Sequence, residues 1–328
     1  MMTKGWEEAV RHGEWLELPW EKLAGLAAFP EPGAAPAQPE TGSHPHLVRQ
    51  WLAASSLFPE KWVNRLFSVG GIRWHEEKLA LKCFPAAQVN DDPLYRRAKQ
   101  SSSCGERPAV LYEDDYCLVF DKPAGMAVHG SGEVGQSRGT LDEAAARHLL
   151  ACDDPLPVRH IHRLDDDTSG PVLYSKNDLA QLRLDEAMRG KEIHRRYVAV
   201  VHGRLNNRSG IIREPIGKDR HHSTRRRVSS NGDKAVTRYE MIASNSRYSL
   251  VRLELETGRT HQIRVHMSHM GHPLLGDELY GGSIDMLKHQ ALHGEELIFA
   301  HPLTGGKISA ASPRPDWLVR LLDRIDLV

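Results

Sequence analysis

Long apolar runs are missing from this sequence. None approaches the roughly 20 residues that a membrane-spanning helix needs, and the start, Met1-Met2-Thr3-Lys4-Gly5-Trp6-Glu7-Glu8, lacks the apolar centre of a signal peptide. No membrane partner is expected, and a cytoplasmic protein is the default. Cysteine is scarce too: Cys83, Cys104, Cys117 and Cys152 are scattered without a CxxC pair, which argues against a disulfide scaffold and for free thiols. Net charge is absent, 43 Lys and Arg standing against 43 Asp and Glu, so the chain is not a uniformly basic nucleic-acid binder. No internal repeat is apparent.

What remains is the make-up of a globular protein, 40% hydrophobic and 26% charged, in a chain of 328 residues. That length suffices for a sizeable core and for more than one domain. Charge is unevenly spread. From Lys191 to Arg238, thirteen Lys and Arg meet four Asp and Glu, a local excess of nine positive charges.

Residues 1 to 27 are expected to form one or two short helices, with Trp6, Trp15, Leu16, Leu18 and Trp20 as their apolar surface, and the prolines of residues 29 to 39 to form an extended linker. Residues 1 to 46 are thus assigned to an N-terminal extension and linker. From Leu47 to about residue 90, two short amphipathic helices precede a Gly turn and a strand. Residues 91 to 107, with Asp91-Asp92-Pro93 and Ser101-Ser102-Ser103, have loop composition and form the boundary to a second unit, residues 108 to 328.

In that unit, Val110 to Phe120 predicts two strands around an acidic turn, and Thr140-Leu141-Asp142-Glu143 is a capping box opening a helix to about Ala151. Pro171 to Lys176 predicts a buried strand. Asn177 or Asp178 caps a helix that Gly190 ends, and Tyr197 to Val201 is a strand. The polar, Gly-interrupted stretch from Ser209 to Gly232 predicts a long hairpin loop. Val251, Leu253 and Leu255 alternate with charged residues as in a half-buried strand. Thr260 is expected to cap a helix presenting Ile263, Met267 and Met270, and Trp317 to Ile325 a C-terminal helix.

One stretch concentrates chemistry: Arg159 to Gly170, with basic side chains, the carboxylates Asp165, Asp166 and Asp167, and the hydroxyls Thr168 and Ser169. His162-Arg163-Leu164-Asp165 followed by Thr168-Ser169-Gly170 resembles the catalytic loop of the RluA-type pseudouridine synthases. Two further stretches match in order, Lys122-Pro123-Ala124-Gly125-Met126-Ala127-Val128-His129 upstream, and Thr257 to His266 with Gly271 to Asp277 downstream. Three ordered matches across residues 108 to 310 are far more specific than one.

The resemblance implies an α+β fold with a mostly antiparallel mixed central sheet, flanking helices and a cleft. It also implies that residues 47 to 90 are an S4-like RNA-binding domain, although Arg73-Trp74-His75-Glu76-Glu77 stands where such modules usually carry an Asn-Gly hairpin. The activity implied is isomerisation of uridine to pseudouridine in ribosomal or transfer RNA, by a monomer without cofactor or metal. A carboxylate beside C1′ suits such glycosyl chemistry, and the resemblance assigns that role to Asp165, with Arg264 as its bidentate partner and Tyr197 stacked on the base. Without the resemblance, Tyr197 reads equally well as a strand tyrosine in the core, and Arg264 as a surface residue. Arg163 matches the residue that fills the stack vacated by the flipped nucleotide, against a plain phosphate contact or a salt bridge to Asp167. His162 and Ile263 are further candidate substrate contacts. Arg225, Arg226 and Arg227 are either a phosphate-binding arm or a solvated surface. Lys122 and His129 read as structural. His261, His266, His269 and His272 lack an HExxH pattern or paired cysteines, so a metal site is not expected. Two rivals stay open: an RNA-binding protein without catalysis on the same scaffold, and a nucleoside or glycoside hydrolase.

Overall fold

The computed structural model describes residues 5–29, 36–100, 107–130 and 139–327. Part of the proline-rich linker, Ser101-Ser102-Ser103 and Cys104 lie outside the described residues. The other three cysteines are free thiols.

The chain begins with a hairpin, β1 (Val10–His12) and β2 (Trp15–Pro19), which turns at Gly13 with φ +58°. Glycine at the first position of a two-residue turn matches the twist of antiparallel strands. The stretch to residue 27 is therefore not chiefly helical as expected, and among its described residues, 5 to 27, only α1 (Trp20–Leu26) is helix. The predicted pair α2 (Pro45–Ala54) and α3 (Glu60–Ser68) follows, then β3 (Ile72–His75) and β4 (Lys78–Leu81). All four strands pair antiparallel in the order β1-β2-β4-β3. Residues 10 to 19 thus complete the sheet of the small unit instead of trailing from it, and Trp20, Trp51 and Trp62 fill its core.

The stretch expected to be a loop after residue 90 contains α4 (Pro93–Gln100). Asp92 Oδ1 accepts from Leu94 N at 2.7 Å, so Asp92-Pro93 is a helix start, with a carboxylate cap and proline in the first turn, where its missing N–H is harmless. Tyr95 and Ala98 pack on Ala146.

In the larger unit, β5 (Ala109–Glu113) and β6 (Cys117–Lys122) flank the acidic turn, where Asp114 Oδ1 accepts from Tyr116 N and Cys117 N. The Thr140–Glu143 capping box opens α5 (Leu141–Ala151). β7 (Arg159–His160) and β8 (Gly170–Ser175) complete a sheet of order β5-β6-β8-β7. Asn177 caps α6 (Asp178–Gly190), and the left-handed residue that ends it is Lys191 at φ +62°.

β9 (His194–His202), β10 (Ser209–Ile212), the hairpin β11 (Ile216–Lys218) and β12 (Arg226–Val228), β13 (Thr237–Ser244) and β14 (Tyr248–Leu255) follow. After α7 (Gln262–His269) come β15 (Leu292–Ala300), β16 (Lys307–Ala311) and α8 (Asp316–Arg324). The second sheet runs β10-β13-β14-β9-β15-β16, and every strand pair named here is antiparallel. The fold is mixed α+β as expected. Where one central sheet was expected, however, two sheets of four and six strands meet at a parallel bridge between Ser169 and His293.

Two glycines make that junction possible. Gly170 has φ +126°, and a Cβ there would lie 2.6 Å from Gly294 O and 2.7 Å from Gly294 Cα. Gly294 N in turn donates to Ser169 O at 2.8 Å. Any side chain at 170 would both strain the backbone and force the sheets apart. Gly170→Ala should therefore lower unfolding free energy by at least about 2 kcal/mol in urea titrations. An unchanged midpoint would mean that the sheets are not held this closely.

Candidate active site

Asp165 lies in a turn between the two sheets, closed by Thr168 N donating to Asp165 O at 3.0 Å. Both sides of the junction hold this turn. From the first sheet, Lys122 at the end of β6 is wholly buried, and its Nζ donates to Pro123 O, Met126 O and Asp166 O at 2.9, 2.7 and 2.7 Å. Burial lowers the Lys122 pKa to about 8, against the raising field of the neighbouring aspartates. From the second sheet, Gln290 Nε2 reaches Thr168 Oγ1 at 3.2 Å, and His293 Nδ1 lies 2.9 Å from Ser169 Oγ. The hydroxyls of the loop thus bond within the protein, and Lys122 ties three backbone carbonyls together.

The turn opens onto a cavity of about 320 Å³ whose lining includes Asp165, Tyr197, Arg264, His162, Arg163 and Ile263. Six of the nine candidate residues are brought together there. The other three, Arg225, Arg226 and Arg227, lie at and beside β12, outside the lining.

Arg264 points from the first turn of α7 toward Asp165, but its geometry differs from the expected two-toothed pair. Nη1 reaches Asp165 Oδ2 at 3.1 Å, whereas Nε and Nη2 grip the two oxygens of Asp277 at 2.7 and 2.8 Å. Asp277, whose side chain is completely buried, holds the planar guanidinium by Nε and Nη2 and leaves Nη1 turned to Asp165. Burial opposes the Arg264 charge, yet hydrogen bonding to Asp277 and the fields of both carboxylates raise its pKa. The arginine is a permanent cation.

The helix start expected at Thr260 is made differently. His261 occupies the cap position in the left-handed region, φ +57°, without a side-chain cap bond. Order comes from Gln262, whose amide accepts from Thr257 Oγ1 and Arg259 N and donates to Val236 O and Thr237 Oγ1. The twist brings His261 Nε2 to 3.9 Å from Asp165 Oδ2, while its Nδ1 meets Tyr280 OH at 2.8 Å. Tyr280 OH also accepts from Arg226 N, so the hydroxyl bridges the hairpin to His261. Burial lowers the His261 pKa, against the field of Asp165. The guanidinium carbons of Arg225 and Arg264 lie 5.5 and 5.0 Å from the Tyr280 ring centre, which ties the basic hairpin to the cavity wall.

Tyr197 is 5% exposed on β9, and among the described residues no hydrogen bond engages its hydroxyl. Burial raises its pKa, so it is a neutral phenol. Arg163 is exposed and bonds His129 Nε2 at 3.2 Å through Nη1, not Asp167. Asp277, His261, Tyr280 and Arg195 were not singled out as site residues. Asp277 and His261 stand in the very stretches that carried the resemblance, and Arg195 lies two residues from Tyr197, on the same face of its strand. No group of three or more metal-ligating side chains occurs among the described residues. His266 and His272, from the histidine series, bond Thr237 Oγ1 and His202 O instead.

Known proteins share this arrangement of loop, strand and helix. Residues 115–269 match the family model described as RNA pseudouridylate synthase. "Uncharacterized RNA pseudouridine synthase YhcT" of Bacillus subtilis (strain 168) is 49% identical over 208 residues, 63% of this chain and 68% of that protein. Its relative YjbO, from the same organism, is 40% identical over 75% of this chain and 84% of its own length. The chain belongs to the RNA pseudouridine synthase family. This synthase is thus an isomerase of uridines in RNA. The "Ribosomal large subunit pseudouridine synthase D" of Xanthomonas campestris is 39% identical over 66% of the chain and 69% of its own length. In structure, "Human RNA Pseudouridylate Synthase Domain Containing 4" shares the fold, with TM-score 0.55 and 23% identity over 66% of this chain and 93% of the other.

Two measurements probe how the synthase holds its loop. His162 is buried, and burial, with Arg195 next in effect, presses its pKa from the ordinary 6.5 to about 3. Between those values the unfolded chain binds a proton that the folded chain refuses, so stability is whole above pH 6.5 and falls with decreasing pH through the window. The slope should reach about 1.4 kcal/mol per pH unit. His162→Gln should flatten it in urea unfolding; the same slope in both proteins would show that the imidazole does not resist protonation. Asp277→Asn removes the charge opposite Arg264 and should cost about 3 kcal/mol of stability, together with most of the turnover. Full product formation would mean that Asp165 needs no oriented arginine.

Proposed function

We propose that Asp165 is the catalytic carboxylate of this pseudouridine synthase, acting at C1′ of a uridine turned out of structured RNA. The observation that carries the reading is its 3.1 Å contact with the permanently charged Arg264 on the wall of a cavity that also presents Tyr197. An acidic oxygen fixed by a cation is suited to attack C1′, or to take the C2′ proton, as the bond to the base breaks. Tyr197 stacks on the base as a neutral ring and stands where a C5 proton is released late in the reaction. Ile263 and His162 shape the walls. Exposed Arg163, at the cavity edge, fills the space that the uridine leaves. No cofactor enters the scheme.

The substrate is ribosomal or transfer RNA, the former favoured by the name of the Xanthomonas relative. Arg225, Arg226 and Arg227 serve as a phosphate-binding arm, linked to the cavity through Tyr280. We place the catalytic unit at residues 108 to 328. The preceding unit works as a divergent S4-like module, a reading supported by the α2–α3 pair followed by β3 and β4. The enzyme acts as a monomer in the cytoplasm.

Asp165→Asn should abolish pseudouridine formation, read by nuclease digestion and chromatography, while leaving RNA binding within about threefold. A rate equal to wild type would remove Asp165 from the chemistry. Release of free uracil by the wild type would mark a hydrolase instead.

A further inference from the structure

Arg195 is 9% exposed on β9 and lines the same cavity as Asp165 and Tyr197. Among the described residues it has no salt bridge and no hydrogen bond, and its buried Nε is without a partner. The other arginines of the lining differ. Arg264 is paired with Asp277 and Asp165, Arg259 lies 3.8 Å from Asp233, and Arg163 is exposed. A buried cation without a counterion is costly to keep, and removal of water from it is normally offset by paired negative charge.

Room is made for it nonetheless. A Cβ on Gly258 would come within 2.7 Å of Arg195 Nη1 and 3.5 Å of Nη2, so the guanidinium occupies the space that a side chain at 258 would take. A second donor lies idle nearby. His162 Nε2 accepts from Leu173 N at 3.3 Å, which leaves the proton of the neutral ring on Nδ1, and that atom has no partner.

We propose that Arg195 binds the carbonyl oxygens of the target uracil and stabilises the negative charge that gathers there as the base departs. This rests on the role of Asp165 argued above. When the bond from N1 to C1′ breaks, its electron pair stays on the base and spreads over N1, O2 and O4, while Asp165 takes C1′ or the C2′ proton. The charge disappears when C5 bonds C1′ and Asp165 leaves C1′ or returns the C2′ proton; loss of the C5 proton is then matched by protonation of N1, which leaves neutral pseudouridine. A cation aimed at those oxygens in a water-poor wall favours the charged stage over the neutral substrate. The base is a better candidate than a phosphate, because Arg195 and Tyr197 share one strand face and the aromatic ring provides a platform for a flat base, whereas RNA phosphates keep to the solvent side.

The test crosses protein variants with substrate analogues in the full-length enzyme. Single-turnover pseudouridine formation would be measured for wild type, Arg195→Gln and Arg195→Lys on RNA carrying uridine, 2-thiouridine or 4-thiouridine at the target. Sulfur accepts hydrogen bonds poorly. Wild type should slow on at least one thio substrate, and Arg195→Gln should be about 10²- to 10³-fold slower on uridine, with RNA affinity within about threefold and that thio penalty abolished. Arg195→Lys should fall between, and it carries the test if the melting curve shows that Arg195→Gln does not fold. Unchanged rates, thio penalties equal in wild type and variant, or a loss of RNA affinity with a shallower salt dependence would each overturn the proposal, the last by indicating a phosphate contact. A wild type that converts uridine while Asp165→Asn does so equally well would instead refute the role of Asp165.

Discussion

The site depends on one buried guanidinium shared unequally between two carboxylates. Asp277, without solvent access, takes two of the Arg264 nitrogens, and Asp165, at the cavity wall, receives one. The division has a physical logic. A pair fully closed on itself would neutralise both charges and leave the cavity without a directed acid, whereas an arginine held only by the reacting carboxylate would turn with it. Fixing the cation from behind makes its orientation independent of what happens to Asp165. The desolvation of Arg264 is met by Asp277, so Asp165 can alter its bonding without exposing an unpaired buried charge.

That arrangement spans the two sheets and requires them to stay in register. Asp165 comes from the turn before β8, Arg264 from α7, and Tyr197 from the middle strands of the second sheet. Nothing in the pairing of strands within either sheet fixes the distance between these groups. It is fixed by the approach of Gly170 to Gly294 and by bonds from Lys122, Gln290 and His293 to the turn. The two hydroxyls of the loop and the Asp166 carbonyl are therefore engaged in holding it, and of the three aspartates Asp165 is the one whose carboxylate meets Arg264 of α7. The backbone carbonyl of Asp166 is an anchor for Lys122 and Gly125.

Much of this could be read in the sequence, for reasons that differ from element to element. The capping box at Thr140 and the cap at Asn177 depend on bonds between residues three apart, so local pattern suffices. Asp92-Pro93 is equally local and still reads as a loop, because the same two residues favour turns and helix starts alike. The hairpin at Gly13 is hidden for another reason: its strands are only 3 and 5 residues long, too short for the alternation Leu16-Glu17-Leu18 to stand out from a helical pattern. Asp165, Tyr197 and Arg264 were legible through their motifs, but their mutual geometry was not. Which of two aspartates an arginine grips with two nitrogens is settled by residues 99 and 13 positions away in the chain, and spacing carries no trace of it.

Zero net charge fits an RNA enzyme once the charges are followed to their partners. Of the thirteen cations between Lys191 and Arg238, Arg196 is engaged by Glu296 and Arg238 by Glu256. These pairs serve the sheet. Arg225, Arg226 and Arg227 have no carboxylate partner among the described residues, and neither has Arg195 within the cavity. Among the described residues, unpaired cations of this segment thus include those of the hairpin and of the cavity beside it, while acidic residues elsewhere balance the total. A chain so charged attracts a polyanion over a limited face and for a limited distance, about 10 Å at ordinary ionic strength. A uniformly basic surface would give no such direction to a polyanion.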